Sequence, residues 1–175
     1  MIASQHNVLI VDDEAPMRHM LRMVLERDGY TVTEATSGSQ GLERLRNGHY
    51  GVILCDIRMP EMDGLTFLRE KQSHQYGGTV VMMSAYGSID TAVECMKHGA
   101  YDYISKPFRP DEILLTVRKA EERGELDACR ADLAASFQRA AVDRVRLALH
   151  DRGIRKLLHV DTNGKAAQKE AAARR

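Results

Sequence analysis

Five short runs of apolar and β-branched residues alternate with longer segments of helical period between Asn7 and Glu122, and this alternation constrains the fold more than any other feature. The runs cover Val8–Val11, Thr31–Glu34, Gly51–Cys55, Thr79–Met83 and Tyr101–Ile104. Strands that alternate with helices along a chain form a parallel sheet with crossover helices. Runs that are apolar throughout are typical of strands covered on both faces. The sequence therefore predicts an α/β fold with five parallel strands and five helices.

The helical segments are marked by apolar residues three or four positions apart and by the residues at their ends. Proline suits the first turn of a helix, as at Pro16, and glycine suits the position after the last turn, as at Gly29 and Gly99. The predicted helices cover Pro16–Asp28, Ser37–Asn47, Gly64–Ser73, Ser88–His98 and a fifth segment from Pro110 onward.

Length and charge divide the chain into a domain and an appendage. Its 175 residues suffice for one domain of ordinary size plus an extension. Residues 1–122 carry 13 basic and 18 acidic side chains, a net −5, whereas residues 123–175 carry 12 and 7, a net +5. We therefore predict a domain at 1–122 and a helical extension, linker or dimerisation segment with a basic tail at 123–175.

Several classes of protein are excluded by what the sequence lacks. No apolar run reaches the length of a membrane span, and the chain enters its first strand without a cleavable leader, so we expect a cytoplasmic protein that binds no membrane. The three cysteines, Cys55, Cys95 and Cys129, have no metal-binding spacing. We expect them to be small buried thiols, without disulfides or structural zinc.

Polar side chains follow four of the predicted strands. Asp12 and Asp13 come after the first strand, Asp56 after the third, Ser84 after the fourth, and Lys106 shortly after the fifth. Ligands of open parallel sheets bind beyond the carboxyl ends of the strands, so we expect these groups to lie together. A single aspartate there is most often a turn or helix cap, but several carboxylates at one edge repel each other unless a cation neutralises them. Oxygen ligands favour Mg²⁺ over zinc.

Four motifs at these strand ends resemble those of a known family. They are VDDE at Val11–Glu14, DIRMPEMDG at Asp56–Gly64, MSAYG at Met83–Gly87 and YDYISKPF at Tyr101–Phe108. Together the motifs resemble a two-component response-regulator receiver domain, most like the nitrogen-regulator class of sigma-54 activators, over about Asn7 to Glu122. The resemblance implies a flavodoxin-like, doubly wound sheet with strand order 2-1-3-4-5.

The resemblance also implies roles for the polar residues. Asp56 would accept a phosphoryl group from a sensor histidine kinase and become an acyl phosphate. Asp13, Asp56 and the backbone carbonyl of Arg58 would bind Mg²⁺ directly, and Asp12 would hold a metal-bound water. Lys106 would pair with a phosphoryl oxygen. Pro107 follows a cis peptide bond in this family.

The response to phosphorylation is implied by the same likeness. Ser84 would donate a hydrogen bond to the phosphoryl group, and Tyr103 would rotate into the space that the loop after strand four leaves. The surface of helix 4, strand 5 and helix 5 would then change and control an output or partner, with transcription as the expected target. The protein would be no enzyme beyond Mg²⁺-dependent self-phosphorylation and slow autodephosphorylation, which the bulky Arg58 and Tyr86 would retard.

The extension after residue 122 carries its own apolar pattern. The pattern predicts that the fifth helix continues or restarts as an amphipathic helix to about Leu149, with Gly124 as a break. Packing back on the same receiver would use the same apolar stripe. The resemblance implies a homodimer through helix 4, strand 5 and helix 5 together with residues 125–149. The stripe comprises Leu126, Cys129, Leu133, Phe137, Ala140 or Ala141, and Val145.

Three other functions compete with the receiver. A basic segment at 140–175 permits a compact DNA-binding transcription regulator, although no complete helix-turn-helix is visible and any DNA binding is expected to be indirect. A phosphatase with an aspartate nucleophile usually carries a second Asp where Arg58 stands. A flavodoxin-like electron carrier needs a phosphate loop where Asp12 and Asp13 stand. No GxxxxGK[ST] motif is present, so the chain is either a receiver fragment or a short regulator.

Overall fold

The structure, a computed structural model, describes residues 6–85 and 89–151, and for 144–151 it describes the backbone alone. Five strands and five helices alternate along the chain, each within one or two residues of its predicted bounds where both ends were predicted. The strands are β1 (Asn7–Val11), β2 (Thr31–Ala35), β3 (Val52–Asp56), β4 (Thr79–Ser84) and β5 (Asp102–Ser105). The helices are α1 (Ala15–Arg27), α2 (Gly38–Asn47), α3 (Gly64–Ser73), α4 (Ile89–Lys97) and α5 (Pro110–Asp151).

All five strands form one parallel sheet in the order β2-β1-β3-β4-β5, which confirms the predicted fold. The order reverses direction between β1 and β3, because the chain first adds β2 on one side and then β3, β4 and β5 on the other. At such a switch point successive connections leave on opposite faces and open a crevice at the carboxyl edge. The carboxyl ends of β1 and β3 therefore form the edge where a ligand site is expected.

The side chains of each strand alternate between two cores. Val8 and Ile10 point to a core with residues of α1 and α5, and Leu9 and Val11 point to one with residues of α2, α3 and α4. Leu21 and Ile113 fill the first core, and Phe67 fills the second. Because both faces of β1, β3 and β4 are covered, these strands carry continuous apolar runs.

The fifth helix extends to Asp151, close to the predicted end at about Leu149. The expected break at Gly124 is wrong, because α5 continues through this residue to Asp151. A Cβ atom at position 124 would lie 2.8 Å from Oγ1 of Thr79, at the start of β4. Glycine here lets the helix approach the strand closely, at a helix-propensity cost of about 1 kcal/mol that packing offsets.

The chain divides into two compact units, one ending at Cys129 and one beginning at Arg130. The predicted boundary after Glu122 stays a prediction. Of the second unit the structure describes the helical residues 130–151, and the predicted basic tail at 152–175 lies outside the described residues. Among the described helices, none combines the length and apolar character that crossing a membrane requires.

The cysteines differ from one another in exposure. Cys55 and Cys95 are buried in the second core as predicted, and all three thiols are free. The prediction for Cys129 is wrong, because this residue is exposed on α5. Its neighbours in the apolar stripe, Leu126 and Leu133, are exposed too, so the periodicity here does not report burial within one chain.

We expect Gly64→Ala to lower the free energy of unfolding by about 2 kcal/mol, the cost of overpacking. Gly64 is the first residue of α3. A Cβ atom there would clash with the main-chain oxygen of Asp56 and would lie 2.8 Å from Cε of Met82. Urea denaturation measures the change. Gly77→Ala is the matched control, because a Cβ atom there meets nothing within 4 Å; equal stability of the two variants contradicts the prediction.

Candidate functional site

The register of the sheet brings the polar strand ends together. Val11 pairs with Cys55, so Asp12 and Asp56, the residues that follow them, end two adjacent strands side by side. Main-chain hydrogen bonds continue this alignment across the edge, from Ile57 N to Met83 O at 2.9 Å and from Lys106 N to Ser84 O at 2.7 Å. The structure thus collects Asp12, Asp56, Ser84 and Lys106 at the carboxyl edge, as predicted.

The ammonium group of Lys106 joins the two buried aspartates. Its Nζ lies 2.8 Å from Oδ2 of Asp12 and 2.6 Å from Oδ1 of Asp56. All three side chains are less than a tenth exposed. Charges buried in this way must be paired, because the loss of hydration otherwise exceeds what the fold can supply. The peptide bond between Lys106 and Pro107 is cis, in agreement with the resemblance.

The remaining carboxylate oxygens of the two aspartates accept main-chain hydrogen bonds. Oδ1 of Asp12 accepts from Glu14 N at 2.9 Å, and Oδ2 of Asp56 accepts from Arg58 N at 2.8 Å. Each carboxylate is therefore held at both oxygens and has a fixed orientation. The expectation that an aspartate such as Asp12 caps a turn is correct in part. Its side chain accepts a hydrogen bond from Glu14 N in its own loop, and it also pairs with Lys106.

Burial and pairing act in opposite directions on the titration of the site. Burial raises the pKa of Asp56, the hydrogen bond and charge of Lys106 lower it, and the net pKa lies above the ordinary value. Burial lowers the pKa of Lys106, but its hydrogen bonds to Asp12 and Asp56 outweigh burial, so its net pKa is raised. Pairing with the two aspartates therefore keeps Lys106 charged, whereas burial makes the ionised form of Asp56 costly.

The donor atoms at this edge fit Mg²⁺ better than a softer metal. Among the described residues, no group of three or more histidine, cysteine or acidic side chains is close enough together to hold a metal ion. Two carboxylates nevertheless converge within reach of one cation, and Asp13 is exposed next to them. Mg²⁺ is commonly bound by one or two carboxylates, with water and phosphate oxygens completing its shell. The residues fit this ion, and the predicted places of Asp13 and the Arg58 carbonyl in its shell stay predictions.

Ser84 and Tyr103 lie on neighbouring strands beside this edge. Ser84 is buried at the end of β4 and pairs in register with Ser105. Tyr103 packs against the second core, and its hydroxyl group is buried with no hydrogen-bond partner among the described residues. A buried tyrosine hydroxyl usually finds a partner. The simpler expectation, a strand tyrosine with its hydroxyl group at the surface, is wrong for the conformation in this structure. The nearby Tyr86 lies outside the described residues.

Sequence reasoning missed Arg18, whose Nη1 donates a 2.8 Å hydrogen bond to the main-chain oxygen of Asp12. Its Nε donates to Oε2 of Glu34 at 3.1 Å. The sequence signal for this contact was an arginine in the first turns of the helix that follows the acidic end of the first strand. Arginine on a predicted amphipathic helix is usually a solvated residue, so that signal was weak.

Comparison with known protein families decides the identity of the fold. A family model described as the response regulator receiver domain matches residues 8–118, which is more than half of the chain. The chain belongs to this family. Receiver domains act in two-component signalling as switches that phosphorylation controls, and they are signalling domains rather than metabolic enzymes. The competing phosphatase and electron-carrier readings are thereby set aside.

Among proteins similar to this receiver, the regulatory protein AtoC of Escherichia coli K12 is 43% identical over 115 residues, which are 66% of this chain and 25% of AtoC. The transcriptional regulatory protein ZraR of Klebsiella oxytoca is 42% identical over 120 residues, 69% of this chain and 27% of ZraR. The chain thus spans about a quarter of the length of these relatives.

A solved structure described as the beryllofluoride-activated NtrC4 receiver domain dimer matches with a TM-score of 0.65 at 33% identity. The match covers 68% of this chain and 98% of that one. These relatives confirm the predicted likeness to receivers of the nitrogen-regulator class.

We expect Asp56→Asn to stabilise the metal-free receiver at neutral pH. The pKa of Asp56 is raised in the folded state, mainly by burial, so the fold favours the protonated acid and ionisation opposes folding. The penalty is complete above the folded pKa, shrinks as the pH falls through it, and vanishes below the ordinary carboxyl pKa. Thermal unfolding with a chelator, from pH 8 to pH 3, measures the difference. If Asp56→Asn is less stable than the wild type at pH 8, the prediction that ionised Asp56 opposes folding is wrong.

Proposed function

We propose that this receiver accepts a phosphoryl group on Asp56 from a sensor histidine kinase and thereby switches an output that controls transcription. The observation that carries the proposal is the pairing of Asp56 with Lys106 at the carboxyl edge, at the switch point between β1 and β3. A buried carboxylate with a raised pKa and a fixed cation at one oxygen is an unusual arrangement for a purely structural residue.

The chain's own groups set up an in-line transfer. A carboxylate oxygen of Asp56 attacks phosphorus, a P–O bond forms, the bond from phosphorus to the donor breaks, and the donor leaves with its electron pair. Arg58 N holds Oδ2 and so orients the carboxylate. Lys106 is placed to neutralise charge on the transferred group. A bound Mg²⁺ would supply charge neutralisation and alignment of donor and acceptor, with Asp13, Asp56 and the Arg58 carbonyl as its proposed direct ligands and Asp12 as the residue that holds a metal-bound water.

The proposed switch uses Ser84 and Tyr103. The phosphoryl group carries about −1.5 to −2 charges in place of the single charge of the carboxylate, and it brings strong acceptor oxygens beside Ser84, whose hydroxyl would donate to them. The hydroxyl group of Tyr103 is buried without a hydrogen-bond partner among residues 6–85 and 89–151, and this supports a role in the switch. An unsatisfied buried group is a reason for two conformations to lie close in energy.

The proposed output surface comprises α4, β5 and the part of α5 that follows it. The outer side of α4 carries three exposed apolar residues at helical spacing, with Ile89 84% exposed and Val93 and Met96 about half exposed. Leu115 of α5 is exposed as well. Apolar groups that face water in one chain favour a surface that a partner covers.

A second copy of the chain is the proposed partner for residues 125–149. Exposed apolar residues recur along this part of α5 at positions 126, 133 and 137. An apolar stripe of this length on a helix is typical of a coiled-coil seam. The similarity to an NtrC4 receiver dimer supports self-association. Val145, at the end of the predicted stripe, has no described side chain.

We expect Mg²⁺ and a small phosphodonor such as acetyl phosphate to add one phosphoryl group to the wild-type chain. Asp56→Asn should gain none, because the amide is no nucleophile for phosphorus. Intact-mass spectrometry measures the gain. The matched control is Asp63→Asn, which removes an acid from the same loop but keeps the cap that accepts from Thr66 N. Phosphorylation of Asp56→Asn to the wild-type level contradicts the proposed acceptor.

We expect Cys129 to form a disulfide between two chains under mild oxidation, and more of it after phosphorylation. In a parallel pair of α5 helices each residue of the seam meets its own copy. The other two cysteines, Cys55 and Cys95, are buried and should not react. Non-reducing gel electrophoresis measures the linked fraction.

The control for this experiment moves the thiol to the far side of the helix. Ala131 is exposed and lies about 200° around the helix from Cys129, so Ala131→Cys in a Cys129→Ser background should link far less. Equal linking at the two positions indicates random collision and contradicts the seam.

A further inference from the structure

The main-chain oxygen of Asp12 is held by a side chain from another element. Nη1 of Arg18 donates to this oxygen at 2.8 Å, and the Arg18 side chain is only 12% exposed. The oxygen belongs to the peptide unit that links Asp12 to Asp13. Because a peptide unit is planar, a hydrogen bond that fixes its oxygen fixes the plane from which the backbone of Asp13 departs.

Glu34 keeps Arg18 in this orientation. Its Oε2 accepts from Nε of Arg18 at 3.1 Å, so the guanidinium group spans from β2 to the end of β1. Asp12 N also donates to Ala35 O at 3.2 Å, which ties the same loop to the same strand. The planar fork of arginine suits this double contact, because its Nε and Nη1 donors reach two different acceptors in a fixed geometry.

Arg22 completes the cluster without reaching the acidic loop. Its Nη1 lies 3.0 Å from Oε1 of Glu34 and forms an ion pair there, although the geometry is not that of a hydrogen bond. Among the described residues, Arg22 contacts Glu34 and His19, and neither contact involves Asp12 or Asp13. Arg18 and Arg22 therefore both pair with Glu34 and carry the same charge, but of the two Arg18 is the one that contacts the Asp12–Asp13 peptide.

We propose that Arg18, clamped by Glu34, is a positioning residue that fixes the Asp12–Asp13 peptide and so presents Asp13 to the magnesium ion. The inference rests on the proposed function, which places Asp13 among the metal ligands. Groups that orient metal ligands typically change metal affinity by about 10- to 100-fold when removed. Arg18 touches neither the ion nor the phosphoryl group in this scheme and acts through the backbone.

Electrostatics and positioning predict opposite results for loss of Arg18. A guanidinium group near three carboxylates repels a divalent cation, so a residue that acts only by charge would strengthen Mg²⁺ binding when removed. A residue that positions Asp13 would weaken binding when removed. The sign of the change therefore separates the two roles.

Calorimetric titration of the full chain with Mg²⁺ alone tests the inference. We expect Arg18→Ala to weaken binding about 10-fold, and Arg22→Ala, which removes the same charge from the same helix, to bind within about twofold of the wild type. Circular dichroism checks that each variant is folded. Affinity of folded Arg18→Ala equal to or tighter than wild type overturns the proposal, as does equal weakening in Arg22→Ala.

A third variant keeps the test decisive if Arg18→Ala does not fold. Glu34→Gln retains the shape of the side chain but removes the charge that orients the guanidinium group, so it should weaken Mg²⁺ binding measurably. If the Mg²⁺ affinity of Glu34→Gln equals that of the wild type, the proposal that Glu34 orients Arg18 for this role is overturned. Failure of the wild-type chain to bind Mg²⁺ at all would instead contradict the proposed function, so the two failures are distinguishable.

Discussion

The ammonium group of Lys106 lies between two buried carboxylates, and the carboxyl edge of the sheet is organised around this contact. Asp12 and Asp56 end adjacent strands with almost no exposure, where two negative charges without a cation would be strongly destabilising. The lysine reaches them from the opposite half of the sequence, 94 residues after Asp12. The β1, β3, β4 and β5 strands must therefore keep their register for the charges to be balanced.

The same balance prepares the site for chemistry at the expense of stability. Burial raises the pKa of Asp56 while Lys106 opposes this rise. The folded protein therefore favours the protonated form of Asp56 over the ionised form more than the unfolded chain does. Strained charges of this kind are typical of functional sites. Phosphorylation of Asp56 would change the charge beside Lys106 and Ser84. The buried hydroxyl group of Tyr103, which has no hydrogen-bond partner in the described part of the chain, lies on the neighbouring strand.

The fifth helix serves two environments along its length. Its first turns bury Ile113, Val117 and Ala120 against the sheet, and Gly124 permits the close approach to Thr79. Further along, the apolar side chains face water, with Phe137 64% exposed. Both stretches have the same helical spacing. Periodicity reports that a face is apolar, and it does not report whether the covering surface belongs to the same chain.

The sequence by itself determined the order and bounds of the strands and helices, because alternation of apolar runs with helical spacing depends on local burial alone. It also placed Asp12, Asp56, Ser84 and Lys106 at one edge, since the carboxyl ends of parallel strands meet there. Only the tertiary structure decided that Arg18 holds the Asp12 carbonyl, that Tyr103 has a buried hydroxyl group and that α5 runs through Gly124. Each of these depends on which groups the folded chain brings into contact, and residue spacing does not encode those contacts.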